Sequence, residues 1–285
     1  MLRSVETYTL VKKVGDERAL ALVAEAGFEA IDYSFYWLPD GHPFKGENYL
    51  SYADSLKEKM DALGLRCNQA HAPFEMVFGD AFDESGEHFR GVVRAMEAAA
   101  HLGAKRIVVH AVKIPEAHGA INLIDYNVEF YRALSPYCRR FGIKVAVENL
   151  FTTDRRCNCF RGVVGTPEEQ CDLIRRIGSP DFCACVDIGH AALTGIEPSI
   201  FLRRMDASLL QCLHIQDLDY AKDRHFLPFG GTLDWSAILS ALRDANYSGD
   251  VSFEIYGFLD PVPVELLPAA LSYAASVGKY LMSQL

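Results

Sequence analysis

The sequence predicts an α/β fold, a single (β/α)8 barrel over residues 1–285. Short β-branched or apolar runs alternate along the chain with longer segments in which Ala and Leu recur at helical spacing. Eight such units fit the 285 residues at about 36 residues each, and no Gly/Ser linker or charge block divides them. This alternation predicts parallel strands with crossover helices, and eight parallel strands can close into a barrel without sheet edges.

The predicted strands, in chain order, are residues 5–10, 28–34, 65–70, 106–111, 143–148, 182–187, 209–214 and 250–256. Helices are predicted over residues 19–26 and 95–102, each followed by a glycine, which commonly ends a helix. Thr166 and Pro167, with two acids after them, are typical of a helix start. Residues 233–245 and 264–281 supply the last two helices.

A doubly wound open sheet is the competing architecture. Such a sheet usually has a glycine-rich phosphate-binding turn after its first strand. No such turn follows Thr9 and Leu10, so the barrel is favoured.

The composition disfavours several classes of partner. The chain has 28 Lys and Arg against 38 Asp and Glu, a formal charge of −10, which repels phosphate backbones and disfavours nucleic acid. No apolar run approaches the roughly 18–20 residues of a membrane span, and the first residues lack the apolar core of a secretory signal. The eight cysteines form no CxxC pair, so we expect a cytoplasmic protein with reduced thiols and no membrane partner.

Polar residues end six of the predicted strands. They are separated by 39, 38, 39, 27 and 40 residues, about one strand–helix unit each time. We therefore expect all six at the carboxyl-terminal mouth of the barrel, where barrel enzymes place their chemistry. The six residues are His71, His110, Glu148, Asp187, His214 and Glu254.

Clustered acids in a low-dielectric mouth repel one another by several kcal/mol, so a bound cation or raised pKa values must compensate. Any one of these residues taken alone could be structural, capping a loop or pairing with an arginine. Two Glu, one Asp and one His together form a mostly oxygen ligand set that suits Mn²⁺, Mg²⁺ or Co²⁺ and also accepts Zn²⁺.

The loop after the seventh predicted strand carries Asp223 and His225, two residues apart. They could face a common ion or a substrate hydroxyl, or they could belong to a solvated polar loop, and the spacing leaves both interpretations open. Asp234 is predicted to cap the helix that follows.

Three motifs carry a resemblance to a known family: VEN at residues 147–149, VDIGH at 186–190, and the run His214-x-x-Asp217, Asp223-x-His225, Gly231-x-x-Asp234-Trp235. With them, nearly the whole chain resembles the sugar phosphate isomerase/epimerase family of the xylose isomerase-like TIM barrel superfamily. The resemblance implies that Glu148, Asp187, His214 and Glu254 bind one divalent metal and that His190 faces the substrate. An arginine familiar in ketose 3-epimerases has no secure counterpart, since Arg224 lies farther along.

The same superfamily contains apurinic endonucleases of the endonuclease IV type, which carry three zinc ions. The resemblance offers candidates for their additional ligands, so a second or third metal is open. The acidic composition argues against a DNA-binding groove. These candidates, which could instead bind substrate, are His71, His110, His190, Asp223 and His225.

The function hypothesis is a metal-dependent sugar, sugar phosphate or polyol isomerase or epimerase. One cation would chelate two adjacent substrate oxygens and stabilise an enediolate, while Glu148 and Glu254 exchange a proton with carbon as acid and base. The alternatives are a zinc-dependent phosphodiester hydrolase of the apurinic endonuclease type and a non-catalytic metal-binding barrel. The sugar, its phosphorylation, the metal, related dehydratase chemistry and assembly into a homo-oligomer stay open.

Overall fold

The computed structural model describes residues 1–74, 83–113, 122–154 and 156–285. In these ranges eight parallel strands form one sheet in the order β10-β1-β2-β3-β4-β5-β8-β9. The end of β9 meets β10, because Ile215 N donates to Ser252 O at 2.8 Å and Glu254 N donates to Ile215 O at 3.1 Å, so the predicted barrel is confirmed. The strands are β1 (Arg3–Glu6), β2 (Ala30–Ser34), β3 (Arg66–His71), β4 (Arg106–Val109), β5 (Lys144–Glu148), β8 (Phe182–Asp187), β9 (Leu210–His214) and β10 (Val251–Phe253), with β6 (Phe151–Thr153) and β7 (Cys159–Arg161) forming a separate hairpin.

Helices lie between the strands, and several ends fall where the sequence predicts them. Gly103 ends α3 in a left-handed conformation, Thr166 forms a capping box at the start of α5, and Asp234 caps α8 by accepting from Ala237 N. No helix in the described part of the chain is long and apolar enough to cross a membrane. The helices are α1 (Tyr8–Glu25), α2 (Tyr49–Ala62), α3 (Glu87–Leu102), α4 (Leu123–Phe141), α5 (Pro167–Ile177), α6 (Ile188–Leu193), α7 (Pro198–Arg204), α8 (Trp235–Asp244), α9 (Tyr256–Leu259) and α10 (Leu267–Ser283).

The first predicted strand, residues 5–10, is wrong beyond Glu6. Strand β1 ends there, and α1 begins at Tyr8, well before the predicted helix start at residue 19. Leu10 and Val11 suit a strand, but both lie in α1, where their side chains are buried in the core. The backbone of α1 is interrupted at Gly15, which has a φ of 73° and separates the early turns from the predicted segment.

Alternate residues of each barrel strand face the lumen. Below the polar mouth, the lumen-facing residues of β4, β5, β8 and β9 are apolar or cysteines. Two residues before His110, Glu148, Asp187 and His214 stand Val108, Ala146, Cys185 and Cys212, which with Cys183 form a buried cluster separate from the main core. Cys183 and Cys185 thus share the lumen face of β8, and all eight cysteines are free thiols.

Candidate metal centre

Four strand-end residues converge at the barrel mouth. Glu148, Asp187 and His214 are the last residues of β5, β8 and β9, and Glu254 follows β10. One ligand atom from each of these buried side chains lies within 4.8 Å of those from the others. Regular strand spacing thus brings three carboxylates and one imidazole together, as the sequence predicts.

The imidazole of His214 is held between carboxylates on both sides. Its Nε2 atom lies 3.0 Å from Asp32 Oδ2, and its Nδ1 atom lies 2.7 Å from Glu148 Oε1 and 3.2 Å from Glu254 Oε2. Carboxylate oxygens only accept hydrogen bonds, so a proton or another cation must lie between Nδ1 and the two glutamates. Burial opposes a charged imidazole, but Cys185 and the two glutamates outweigh it and raise the pKa of His214 well above its ordinary value.

The carboxylates of the centre show an excess of negative charge. Burial raises the pKa of Asp187 to about 6. Glu254 and Glu148 act in the same direction, and His190 acts against them. For Glu148 burial acts in the same direction, but His214 and His110 outweigh it and hold its pKa well below the ordinary value. Glu148 Oε2 is buried without a well-aligned donor, although His110 Nε2 lies 2.6 Å away. The donor set of three carboxylates and one imidazole fits a divalent cation.

A second group forms beside the first. His190 Nδ1 donates to Asn149 O at 3.0 Å and His225 Nδ1 donates to Glu254 O at 2.9 Å, because a carbonyl oxygen can only accept. Both Nε2 atoms then face Asp223, at 3.0 Å from His225 and 3.9 Å from His190. Although the loop before Asp223 is exposed, the Asp223 and His225 side chains point into the mouth, and with His190 they meet the geometry of a metal site.

The charges of this second group are strongly perturbed. Burial would lower the pKa of each histidine, but Asp187 and Asp223 raise the pKa of His190 to about 10, and Asp223 with Glu254 raises that of His225 to about 9. Without a metal, both imidazoles are protonated and pair with Asp223.

His71 and His110 stand on the far side of Glu148. His71 Nδ1 donates to Ala72 O at 2.8 Å, and its Nε2 atom lies 3.1 Å from His110 Nε2 and 3.6 Å from Glu148 Oε2. Burial lowers the pKa of His110 to about 3, so this imidazole is neutral. His71, Glu148 and His214 form a third group with metal-site spacing. Since His110 contacts Glu148, all nine candidate site residues are gathered at one mouth.

Loop motifs bring the second group into place. Asp217 accepts hydrogen bonds from Trp235 Nε1 at 2.8 Å and from Phe229 N at 2.9 Å, which fixes the loop between β9 and α8. A side chain at Gly231 would overlap Asp217, and one at Gly257 would overlap the carbonyl of Arg224, next to His225. Gly231 allows the close packing of the loop around Asp217, and Gly257 allows the close backbone approach beside His225, so Gly231 and Asp217 have a structural role in the motif.

Sequence reasoning missed four polar residues of the site: Glu6, Asp32, Tyr36 and Gln216. Gln216 Nε2 lies 3.2 Å from both Asp187 Oδ1 and Asp223 Oδ1, between the first and second groups. Glu6 ends β1, but the misplaced first strand hid its position. The signal for Asp32 was an acid between Ile31 and Tyr33 in the middle of a predicted strand.

Glu6 and Tyr36 extend the site beyond Glu254. Tyr36 OH lies 3.0 Å from Glu6 Oε1 and 3.3 Å from Glu254 Oε1, and Ser34 Oγ also donates to Glu6. Burial, followed by Glu254, raises the pKa of Glu6 to about 7. The rim beside them is aromatic, since Tyr36 and Phe74 pack against His71 and His110, while Trp37 is 60% exposed.

The model of one protein family, the xylose isomerase-like TIM barrel, matches residues 20–275 of this chain. The chain belongs to this family. An uncharacterized protein of Methanocaldococcus jannaschii is 28% identical over 84% of this chain and 79% of its own length. An inosose isomerase of Bacillus licheniformis is 26% identical over 64% of this chain and 65% of its own length.

Solved structures share the fold. A D-tagatose 3-epimerase-like protein superposes with a TM-score of 0.73 at 22% identity, covering 99% of this chain and 97% of the other. The IolI protein, solved with a bound zinc atom, gives a TM-score of 0.69 at 20% identity over 99% of this chain and 96% of its own. At this level of identity the likeness supports the barrel architecture.

Proposed function

We propose that this protein is a divalent-metal-dependent isomerase or epimerase of a sugar, sugar phosphate or polyol. The observation that carries the proposal is the position of His214 Nδ1, which faces two glutamate oxygens at 2.7 and 3.2 Å within a group of four metal-type ligands. The sugar-directed names of the inosose isomerase and of the epimerase-like structure support the substrate class.

Glu148, Asp187, His214 and Glu254 would hold the metal, and Mn²⁺, Mg²⁺, Co²⁺ and Zn²⁺ are all acceptable to this set. A bound divalent ion supplies Lewis acidity, polarising a substrate carbonyl and lowering the cost of removing the neighbouring carbon-bound proton. Asp187 and His214 serve mainly as ligands in this proposal, whereas both glutamates have a further task.

The two glutamates are placed to move a proton. Glu254 directs Oε2 at His214 and Oε1 at Tyr36 OH, and Glu148 directs Oε1 at His214 and leaves Oε2 without a well-aligned donor. Each therefore has one oxygen for the centre and one for the proton. Strands β8 and β9 separate them in the sheet, so they stand on different sides of the mouth. Proton removal on one face and return on the other gives epimerisation, and transfer between adjacent carbons gives isomerisation.

A zinc-dependent phosphodiester hydrolase is the second candidate, because two further groups with metal-site spacing adjoin the first. The net charge of −10 argues against a polyanionic substrate. Counting bound ions distinguishes these two functions. One ion, Mn²⁺ in particular, favours sugar chemistry, and three zinc ions favour hydrolysis. A non-catalytic metal-binding barrel would bind ions without either reaction.

Deuterium exchange from solvent into carbon tests the proposal. The protein is stripped with a chelator, reloaded separately with each of the four metals, and incubated in D₂O with a panel of ketoses and inososes. We expect exchange with at least one substrate, and we expect Glu148→Gln to lose most of it, at least a hundredfold, since proton transfer by a positioned side chain is worth roughly 10²–10⁴-fold.

The matched control is Glu168→Gln, the same change at an exposed glutamate paired with Arg204. It should exchange at the wild-type rate. Near-normal exchange in Glu148→Gln would discard the assignment of Glu148, and absence of exchange across the panel would discard the sugar reaction.

A further inference from the structure

The histidines of the mouth are oriented in two different ways. His71, His190 and His225 each donate one ring N–H to a main-chain carbonyl, that of Ala72, Asn149 or Glu254. His214 instead donates Nε2–H to the carboxylate of Asp32. A carbonyl fixes the tautomer of a histidine, whereas a carboxylate fixes the tautomer and also adds a negative charge.

Asp32 is fully buried in the barrel lumen, one layer below the mouth. Its Oδ2 atom accepts from His214 Nε2 at 3.0 Å, from Gln69 Nε2 at 2.5 Å and from Ser252 Oγ at 3.1 Å, and its Oδ1 atom is buried without a hydrogen-bond partner. Gln69 and Ser252 are neutral, so within the described structure His214 is the hydrogen-bond partner that can carry the compensating positive charge.

Burying an unpaired carboxylate costs several kcal/mol, and a neutral group could accept the same hydrogen bonds. A carboxylate that served only to orient the ring would therefore destabilise the fold more than a neutral residue in the same place. The negative charge of Asp32 stabilises the site when His214 ligates a cation, because it attracts the positive charge that the ion places on the ring.

We propose that Asp32 is a positioning residue that makes the Glu148–Asp187–His214–Glu254 group the tighter of the metal sites at this mouth. It keeps the proton on Nε2, leaves Nδ1 as the ligand atom, and adds a fixed charge that the His190–Asp223–His225 group does not receive from its neutral carbonyls. The inference rests on the metal dependence proposed above and concerns the order in which the sites fill.

Metal titration of Asp32→Asn tests this inference without any turnover. Chelator-stripped full-length protein is titrated with Mn²⁺ and, separately, with Zn²⁺ by competition against a chromogenic chelator. We expect the first ion to bind 10- to 100-fold more weakly than in the wild type, the effect typical of losing an outer hydrogen-bond partner of a metal ligand. Binding at the His190–Asp223–His225 group, which contains neither His214 nor Glu148, should be unchanged.

Two variants serve as controls. Ser252→Ala removes one donor to Asp32 but keeps its charge and its bond to His214, so affinity should stay within about threefold of wild type. Asp16→Asn makes the same chemical change at a buried carboxylate held by Tyr33, Tyr52 and His42, away from the centre, and should leave affinity unchanged. Equal first-ion affinity in Asp32→Asn and wild type would overturn the inference.

A second readout needs no variant, in case Asp32→Asn fails to fold. In ¹⁵N-histidine-labelled wild-type protein loaded with Zn²⁺, we expect the His214 ring to carry its proton on Nε2. A proton on Nδ1 would overturn the inference. Wild-type protein that binds neither metal would instead refute the metal dependence of the proposed function, and weakened binding in Asp32→Asn without sugar exchange would support the inference while refuting the reaction.

Discussion

Buried carboxylates at the barrel mouth are compensated unequally, and this decides the protonation of each residue. Asp223 and Glu148 face imidazoles, which keep their pKa values low, whereas burial, reinforced by neighbouring carboxylates, raises the pKa values of Asp187 and Glu6. Hydrogen bonds to main-chain carbonyls fix which nitrogen of His71, His190 and His225 is free. The acids with raised pKa values are those that a cation or a proton must neutralise.

Glu6 gives a prediction about stability and pH. Its pKa rises from 4.5 to about 7 in the folded protein, so between these values the unfolded chain loses a proton that the folded chain keeps. Stability contributed by Glu6 therefore falls as pH rises through this window and stays low above it. We therefore expect Glu6→Gln to become more stable relative to wild type, by roughly 3 kcal/mol in free energy of unfolding, between pH 4.5 and 7.5.

The measurement is urea unfolding at a series of pH values with chelator present throughout. Glu168→Gln, at an exposed site, should run parallel to wild type. Parallel curves for Glu6→Gln as well would show that Glu6 has an ordinary pKa in the folded protein.

Single residues of the site were predictable where strand spacing determined them. Glu148, Asp187 and His214 each end a strand, so counting strand–helix units was sufficient. Asp32 was not found, because it lies inside β2, one layer deeper, where a sequence pattern cannot show whether an acid faces the lumen beside a histidine. Gln216 was not predicted either, since its amide is uncharged and is not among the carboxylates and imidazoles that indicate a metal site.

Among the elements, the strands and the caps were more predictable than the loops. Strand β8 has the predicted bounds, and Thr166 and Gly103 act as expected, because their signals are local. The start of α1 was wrong because Leu10 and Val11 suit a strand as well as a buried helix face, and packing decides between the two. The β6–β7 hairpin lacked a recognisable turn signal.

Close approach between α9 and the Asp223 loop gives a prediction at the scale of elements. A methyl group at Gly257 would overlap the carbonyl of Arg224, so Gly257→Ala must push the loop, with His225, away from α9. We expect a loss of unfolding free energy on the order of 1–3 kcal/mol, measured by urea unfolding.

Gly91 offers the matched control within α3. A methyl group there would meet nothing within 4 Å, so Gly91→Ala should raise the free energy of unfolding by up to about 1 kcal/mol through helix propensity. A Gly257→Ala protein as stable as wild type would mean that the loop does not need this close approach.

At the scale of the whole molecule, closure of the barrel creates the site. Parallel strands in register bring residues about one strand–helix unit apart to the same level, while below them Val108, Ala146 and three cysteines fill the side of the lumen formed by β4, β5, β8 and β9. The alternation of strand and helix segments predicts this architecture, because hydrophobic periodicity determines which segments form strands and which form helices. The same closure confines several carboxylates to one end, so the stability of the fold depends on what neutralises them.

Asp187→Asn separates two effects of confining these carboxylates: destabilisation of the metal-free protein and stabilisation by a bound cation. The raised pKa of Asp187, about 6, means that ionising it at pH 7.5 costs the metal-free protein stability. Its replacement should therefore raise the free energy of unfolding in chelator by roughly 1–3 kcal/mol, since the amide oxygen can still accept from His190 N. With free Mn²⁺ at a hundred times its dissociation constant, wild type should gain about 2.7 kcal/mol and the variant much less.

Asp244→Asn, at an exposed ion pair with Arg203, should follow wild type in both conditions. A variant that is weaker than wild type in chelator and equally stabilised by Mn²⁺ would show that Asp187 is a structural cap of α6 and that the cation binds elsewhere.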